Sequence, residues 1–255
     1  MKRILFFLVI LPFFTLQSQE TKKQTAKHNI SIGFNFSPDY SYRSLHNKNG
    51  NQSGDAVKKT RNDMEVAKFG YSTGLNICFA GSGRMSIETG VQYSSKGYQT
   101  KNYDLVYGGP DPTAPVKAQS VYFYQYIGIP LRAKLTLGRG YIRVPIKKRT
   151  PGNDNLRFLL SAGFMTNFLV NIKHALTFEY ADGRKEEHKV ATADDFKKID
   201  ISPMISAGID CGISNKIRFT AEPTFRYGII NTKDAPLTES LWSIGLNLGI
   251  YYSLK

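Results

Sequence analysis

From residue 241 to residue 254, large apolar residues alternate with small or polar ones without a break. Trp242, Ile244, Leu246, Leu248, Ile250, Tyr252 and Leu254 form one set. Leu241, Ser243, Gly245, Asn247, Gly249, Tyr251 and Ser253 form the other. A period of two over this length is a β-strand with two chemically different faces. It is long for a strand of a soluble protein, where about 5–6 residues is usual. At ~3.3 Å per residue, Trp242 to Tyr252 covers roughly 33 Å, and a tilt of ~40° leaves roughly 25 Å along a barrel axis. That is the height of the apolar band of a barrel set in a bilayer, with an aromatic at each edge. Trp242 and Tyr252 are therefore read as belt residues.

The same alternation recurs in stretches 29–40, 66–79, 84–98, 120–137, 155–173, 199–213 and 217–230. Residues 80–83 and 214–216 read as tight turns. Residues 43–65, 99–119, 174–198 and 231–239 read as longer loops. Pro130 inside a strand predicts a bulge or a locally unpaired position. Alternating long and short connections with an even strand count predict an all-β fold, an eight-stranded antiparallel up-and-down transmembrane β-barrel over residues 19–255. Both termini are then expected on the periplasmic side of the cell outer membrane. One connection departs from the pattern: residues 138–154 should be a short turn, yet they are long and basic. Arg143, Lys147, Lys148 and Arg149 are read as a periplasmic segment that docks a partner.

Alternation alone does not say which face meets lipid. The polar set is rich in glycine, at Gly33, Gly70, Gly74, Gly90, Gly163, Gly208, Gly212, Gly245 and Gly249. Glycine weakens a strand, but small residues suit the interior of a narrow tube. The Phe, Tyr and Ile of the other set exceed what such a tube can hold, so they face outward.

The N-terminal residues carry Lys2 and Arg3, an apolar run over 4–16, and then Gln17 and Ser18. This is the pattern of a signal peptide, residues 1–18, and no Cys follows to take a lipid anchor. Mean hydropathy is -0.31, which does not exclude a barrel whose strands average out on such scales. The net charge of +14 would point to nucleic acid in the cytoplasm. For an exported chain the expected partners are outer-membrane lipid, lipopolysaccharide or a periplasmic or secretion protein, with no nucleic acid. Cys78 and Cys211 fall on opposite faces and are expected to be free thiols.

The inward set contains Glu88, Arg132, Lys134, Arg157, Asp210, Arg218, Glu222 and Arg226, with Arg84 and Asp200. Buried charges need partners. Glu88 is matched with Arg132 on the adjacent strand, and Glu222 with Arg218 or Arg226. The network reads either as a salt-bridged plug or as a proton or ion path. An eight-strand interior is just filled by side chains, which favours the plug. His28, His46, His174 and His188 lack metal-ligand spacing, and no nucleophile, base and orienting acid stand out. No cofactor, metal or enzymatic activity is expected. The function expected is structural or interaction-based, through loops. The alternatives are a narrow transport or small-ligand-binding barrel, or a soluble lipid-binding barrel with the apolar face turned in.

Tyr126-Ile127-Gly128-Ile129-Pro130-Leu131 with Lys134, Gly90-Val91-Gln92-Tyr93 with Lys96-Gly97, Leu160-Ser161-Ala162-Gly163 and the closing strand together resemble the PorT-like family of small outer-membrane barrels of Gram-negative bacteria. The resemblance covers essentially the mature chain. It implies an outer-membrane barrel, with links in some members to secretion or gliding machinery. The basic segment and the ending Leu254-Lys255 depart from the family pattern.

Overall fold

The computed structural model describes residues 30–254 apart from 82–83, 108–112, 138–155, 191–195, 215 and 234. Its elements in order are β1 (Ile30–Asn47), α1 (Gln52–Met64), β2 (Glu65–Ala80), β3 (Met85–Thr100), β4 (Tyr103–Asp104), β5 (Pro115–Leu137), β6 (Leu156–Tyr180), β7 (Lys185–Val190), β8 (Ile199–Gly212), β9 (Ile217–Tyr227) and β10 (Leu237–Leu254). Strands β5, β3, β2, β1, β10, β9, β8 and β6 pair in that order, all antiparallel, and a β5–β6 ladder closes the ring. Closure removes every edge within this ring. The first and last strands meet in the wall, Ile30 opposite Leu254 and Asn47 opposite Leu237.

The alternation sets the faces. Along β10, Leu241, Ser243, Asn247, Gly249 and Tyr251 are buried, while Ile244, Leu246, Ile250, Tyr252 and Leu254 are exposed. The same holds around the wall, with Phe34, Phe69, Leu75, Val91, Ile129, Phe164 and Phe225 all outward. The apolar residues therefore cover the outside, and the buried interior is mostly Asn, Ser, Thr and charged side chains. Short connections lie at one end with the strand termini Ile30 and Leu254. There Gly81 N–H reaches Met85 O at 3.0 Å and Ile213 N–H reaches Ile217 O at 2.9 Å. This end is called the turn end, and the opposite one the loop end. The signal-like residues 1–18 and the basic residues Arg143, Lys147, Lys148 and Arg149 lie outside the described residues.

The loop end is more ordered than the alternation implies. Residues 43–65, expected as a loop, hold the end of β1 and the helix α1. Asn51 caps this helix, its side chain accepting from Gly54 N–H, with Asp55 in the first turn and Arg61 in the last. No α1 residue is buried, so there was no apolar periodicity to betray a helix. Strands β5 and β6 also run five and seven residues past their expected ends at 120 and 173. Pro115 stands opposite Tyr180, β4 pairs outside β5, and β7 pairs outside β6. Parts of the expected loops 99–119 and 174–198 thus form a four-stranded projection, where backbone ladders persist after the apolar alternation has ended.

One other expectation is corrected, and one is decided between its two forms. Unbroken alternation over residues 155–173 predicts Asn171 inward with Asn167, but Gln125 pairs with Asn171 and Tyr126 with Leu169. Val170 is the extra residue of a bulge, which flips the strand's parity beyond it. Asn171 consequently points outward and donates to Gln125 Oε1 at 3.0 Å. Of the two alternatives for Pro130, the locally unpaired position is the one found: it sits in register opposite Met165 without a bulge, and the β3–β5 ladder skips Ile129 and Pro130. A residue without an N–H occupies a position where the ladder asks for none.

Candidate functional site

The polar interior is where this sequence concentrates its chemistry, and it is built in layers. Nearest the turn end, Glu88 on β3 faces Arg132 and Lys134 on β5, with Glu222 on β9 across the lumen. Glu88 stands directly opposite Arg132, and the two form an ion pair. Lys134 Nζ lies 2.6 Å from Glu88 Oε2 and 3.0 Å from Glu222 Oε1, and Arg132 Nη1 lies 3.5 Å from Glu222 Oε2. Tyr251 donates to Glu88 Oε2 at 2.7 Å, and Ser206 donates to Glu222 Oε2 at 2.9 Å. Two carboxylates meet two cations, so the layer is neutral as well as hydrogen-bonded. The ring of Tyr251 fills the space beside Gly33, where a Cβ would come within 2.4 Å of it.

Glu222 does not pair with Arg218 or Arg226. Residues four apart on a strand are roughly 13 Å apart along it, while the lumen brings opposite walls together. Arg218 instead pairs with Asp210 at the rim, its side chain 41% exposed. Arg226 reaches Asp39 at 2.9 Å. Arg157 is exposed near the turn end, outside the buried network.

Above the charged layer, Asn35 donates to Asn247 at 3.0 Å, and Asn76 and Gln92 both donate to Asn35 Oδ1, at 3.2 and 3.4 Å. Asp39 follows, accepting from Ser37, Ser72 and Arg226. It occupies the space left by Gly245, where a Cβ would lie 1.8 Å from Asp39 Oδ1. Lys96 is buried here, facing Arg226, Asp39 and Asp200.

A second charged layer closes the loop end, and the charge pattern of the strands did not reveal it. Arg43 Nε reaches Glu65 Oε2 at 2.6 Å, and Arg61 Nε of α1 reaches Glu65 Oε1 at 2.7 Å. Arg61 Nη2 also lies 3.2 Å from Glu239 Oε2. Glu239 Oε1 accepts from Tyr124 at 2.7 Å and from Thr232 at 3.0 Å, and Glu239 Oε2 accepts from Tyr98 at 3.2 Å. Burial works against the charge of Arg61, but the hydrogen bond to Glu65, with Tyr98 and Glu239 nearby, holds its guanidinium above its ordinary range. Arg43, Glu65 and Glu239 fell in or beside stretches read as loops. The parity of Asp39, Ser41 and Arg43 was the available signal, since it continues the inward set beyond residue 40.

On the outside, Trp242 sits among Tyr42 at 6.1 Å and Phe225 at 6.4 Å between ring centres. Tyr40 packs on Phe69 and Tyr71 on Tyr93 toward the same end. Tyr252 is outward near the turn end, with Lys216 Nζ 5.9 Å from its ring centre. Cys78 and Cys211 are both free. Among the described residues no three His, Cys, Asp or Glu converge as a metal site.

Residues 17–234 match the family described as outer membrane protein beta-barrel domain. No curated protein matches the chain. Among solved structures it is similar to Neisserial surface protein A, at 11% identity over 88% of this chain and 96% of that one, with a TM-score of 0.42. OprG from Pseudomonas aeruginosa is similar at 11% identity over the same shares, with a TM-score of 0.45. The outer membrane protease OmpT from Escherichia coli is similar at 9% identity over 92% and 99%, with a TM-score of 0.36.

Proposed function

The chain belongs to the outer membrane protein β-barrel domain family, and we propose that within the cell outer membrane it is a non-enzymatic barrel with a closed lumen that works by contact through its loop end. The single observation that carries this reading is the pair of neutral charged layers, one at each end of the interior. Glu88, Arg132 and Glu222 are at most 1% exposed, and the tethered Arg61 lies across the loop-side opening. An ion crossing the lumen has to break these pairs, which costs several kcal/mol per uncompensated charge.

The contact surface is the four-stranded projection with α1. Arg184, Lys185 and His188 on the β6–β7 hairpin are more than half exposed, and β7 presents an outer edge with charges of both signs, Lys185, Glu186, Glu187 and Lys189. Envelope lipid, lipopolysaccharide and a secretion-associated protein are the partner classes that fit an exported basic chain. Tight turns and both strand termini at one end support a periplasmic placement of the termini. In this reading the chain is PorT-like, and its basic segment Arg143 to Arg149 docks a periplasmic partner. Trp242 and Tyr252 mark the upper and lower aromatic belts.

The test is planar-bilayer conductance of the purified, heat-modifiable barrel. No discrete steps are expected from the native protein. Regular steps that vanish on Glu88→Gln or Arg132→Met would overturn the closed lumen in favour of narrow transport.

A further inference from the structure

A groove of about 560 Å³ crosses the outer wall from β5 to β10. Its floor is Ala133, Ala162 and Ala207, and its walls include Leu160, Ile205 and Phe225. The register explains the hollow. Ala133 stands opposite Ala162, Ala162 opposite Ile205, and Leu160 opposite Ala207. Methyl side chains thus stand on three adjacent strands among the larger Leu160, Ile205 and Phe225. Beside Ala207 the β8–β9 ladder is interrupted between Ser206↔Thr224 and Ile209↔Ala221. Pro223, which has no N–H, sits in that interval and lines the groove. Among the described residues no charged side chain lines it.

The groove is continuous with the outward apolar band, the interface of this family with the hydrocarbon of the bilayer. An occupant there has to be apolar along its whole length, because an unpaired polar group in hydrocarbon costs several kcal/mol. The volume falls in the range of roughly 300–1,000 Å³ of sites that hold discrete small ligands. One end opens at Leu135, two residues from the strand end Leu137, and at Leu160, four residues from the strand end Leu156. The other end is bounded by Phe225 and Ile244, beside Trp242. We propose that the groove retains one acyl chain of a phospholipid from the turn-side leaflet, with its methyl end toward Trp242. The site rests on the membrane placement of the family and not on the closed lumen.

Trp242 is the only tryptophan of the chain, and its ring lies 6.4 Å from that of the groove-lining Phe225, so it reports on this site. The folded protein in detergent micelles is titrated with trace phosphatidylcholine carrying bromine near the methyl end of its acyl chain. Saturable quenching of Trp242 at about one lipid per barrel is expected, stronger than with bromine near the carboxyl end. Ala162→Leu with Ala207→Leu fills the groove and should remove the saturable phase. Leu75→Phe, outward on β2 across the ring from β8, should leave it in place. Heat-modifiable migration confirms that each variant is folded. Quenching that rises linearly with lipid in the native protein, or that survives the filled groove, overturns the site. Stronger quenching by carboxyl-end bromine overturns the assignment to the turn-side leaflet. If the filled variant does not fold, lipid counted by native mass spectrometry on the native protein decides: one retained phospholipid supports the site, and none overturns it.

Discussion

The two charged layers have the same arithmetic and different construction. At the turn end, Glu88 and Glu222 face Arg132 and Lys134, all supplied by barrel strands and all 4% exposed or less. At the loop end, Glu65 and Glu239 face Arg43 and Arg61, but Arg61 comes from a helix outside the wall and its side chain is 29% exposed. The first layer is held by the ring itself, so breaking it leaves a charge with nowhere to go. The second can lose Arg61 to solvent while the ring stays closed. The comparison separates what keeps the barrel folded from what keeps its opening covered.

The largest effect is expected from Arg132→Met. It leaves Glu88 and Glu222 facing only Lys134, and loss of one partner from a buried pair costs about 3–5 kcal/mol. Urea unfolding in lipid, followed by gel migration, reads the loss. The double variant Glu88→Met with Arg132→Met should recover most of it, because the uncompensated carboxylate goes too. No recovery would mean the layer acts through packing and not through charge.

Glu239→Ala removes the acceptor of Tyr98, Tyr124 and Thr232 together. A loss of about 1–3 kcal/mol is expected from the stranded buried donors. An effect as large as that of Arg132→Met would erase the contrast between the layers. Gly33→Ala pushes a methyl into the ring of Tyr251 and should cost about 1–3 kcal/mol by overpacking. Measured in a Tyr251→Phe background, Gly33→Ala should add the same cost as in the native protein if sterics are the cause, since the ring remains. Arg61→Ala is expected to be smallest, about 1 kcal/mol or less overall, since its pairs are partly solvated. Its signature is local: faster amide hydrogen exchange across α1 with unchanged protection in β1 and β10. Protection lost throughout the wall would make α1 part of the fold and not a cover.

The faces of the strands were legible because alternation responds to a single variable, the medium on each side. Ile244 and Asn247 need no knowledge of their neighbours to be assigned outward and inward. The amide cluster of Asn35, Asn76, Gln92 and Asn247 was visible only as parity, because four neutral residues on four strands carry no mark of meeting. Helix α1 escaped for a different reason: it buries nothing, and so carries no periodicity.

What the sequence determined by itself was a set of two-faced strands, their order and the polarity of the interior they enclose, since each strand must satisfy lipid on one side and crowding on the other. What only the tertiary structure decided was which charges meet. Glu222 has Arg226 four residues away in its own strand and bonds Lys134 from the opposite wall, because closing the ring makes the distance across the lumen shorter than the distance along the chain.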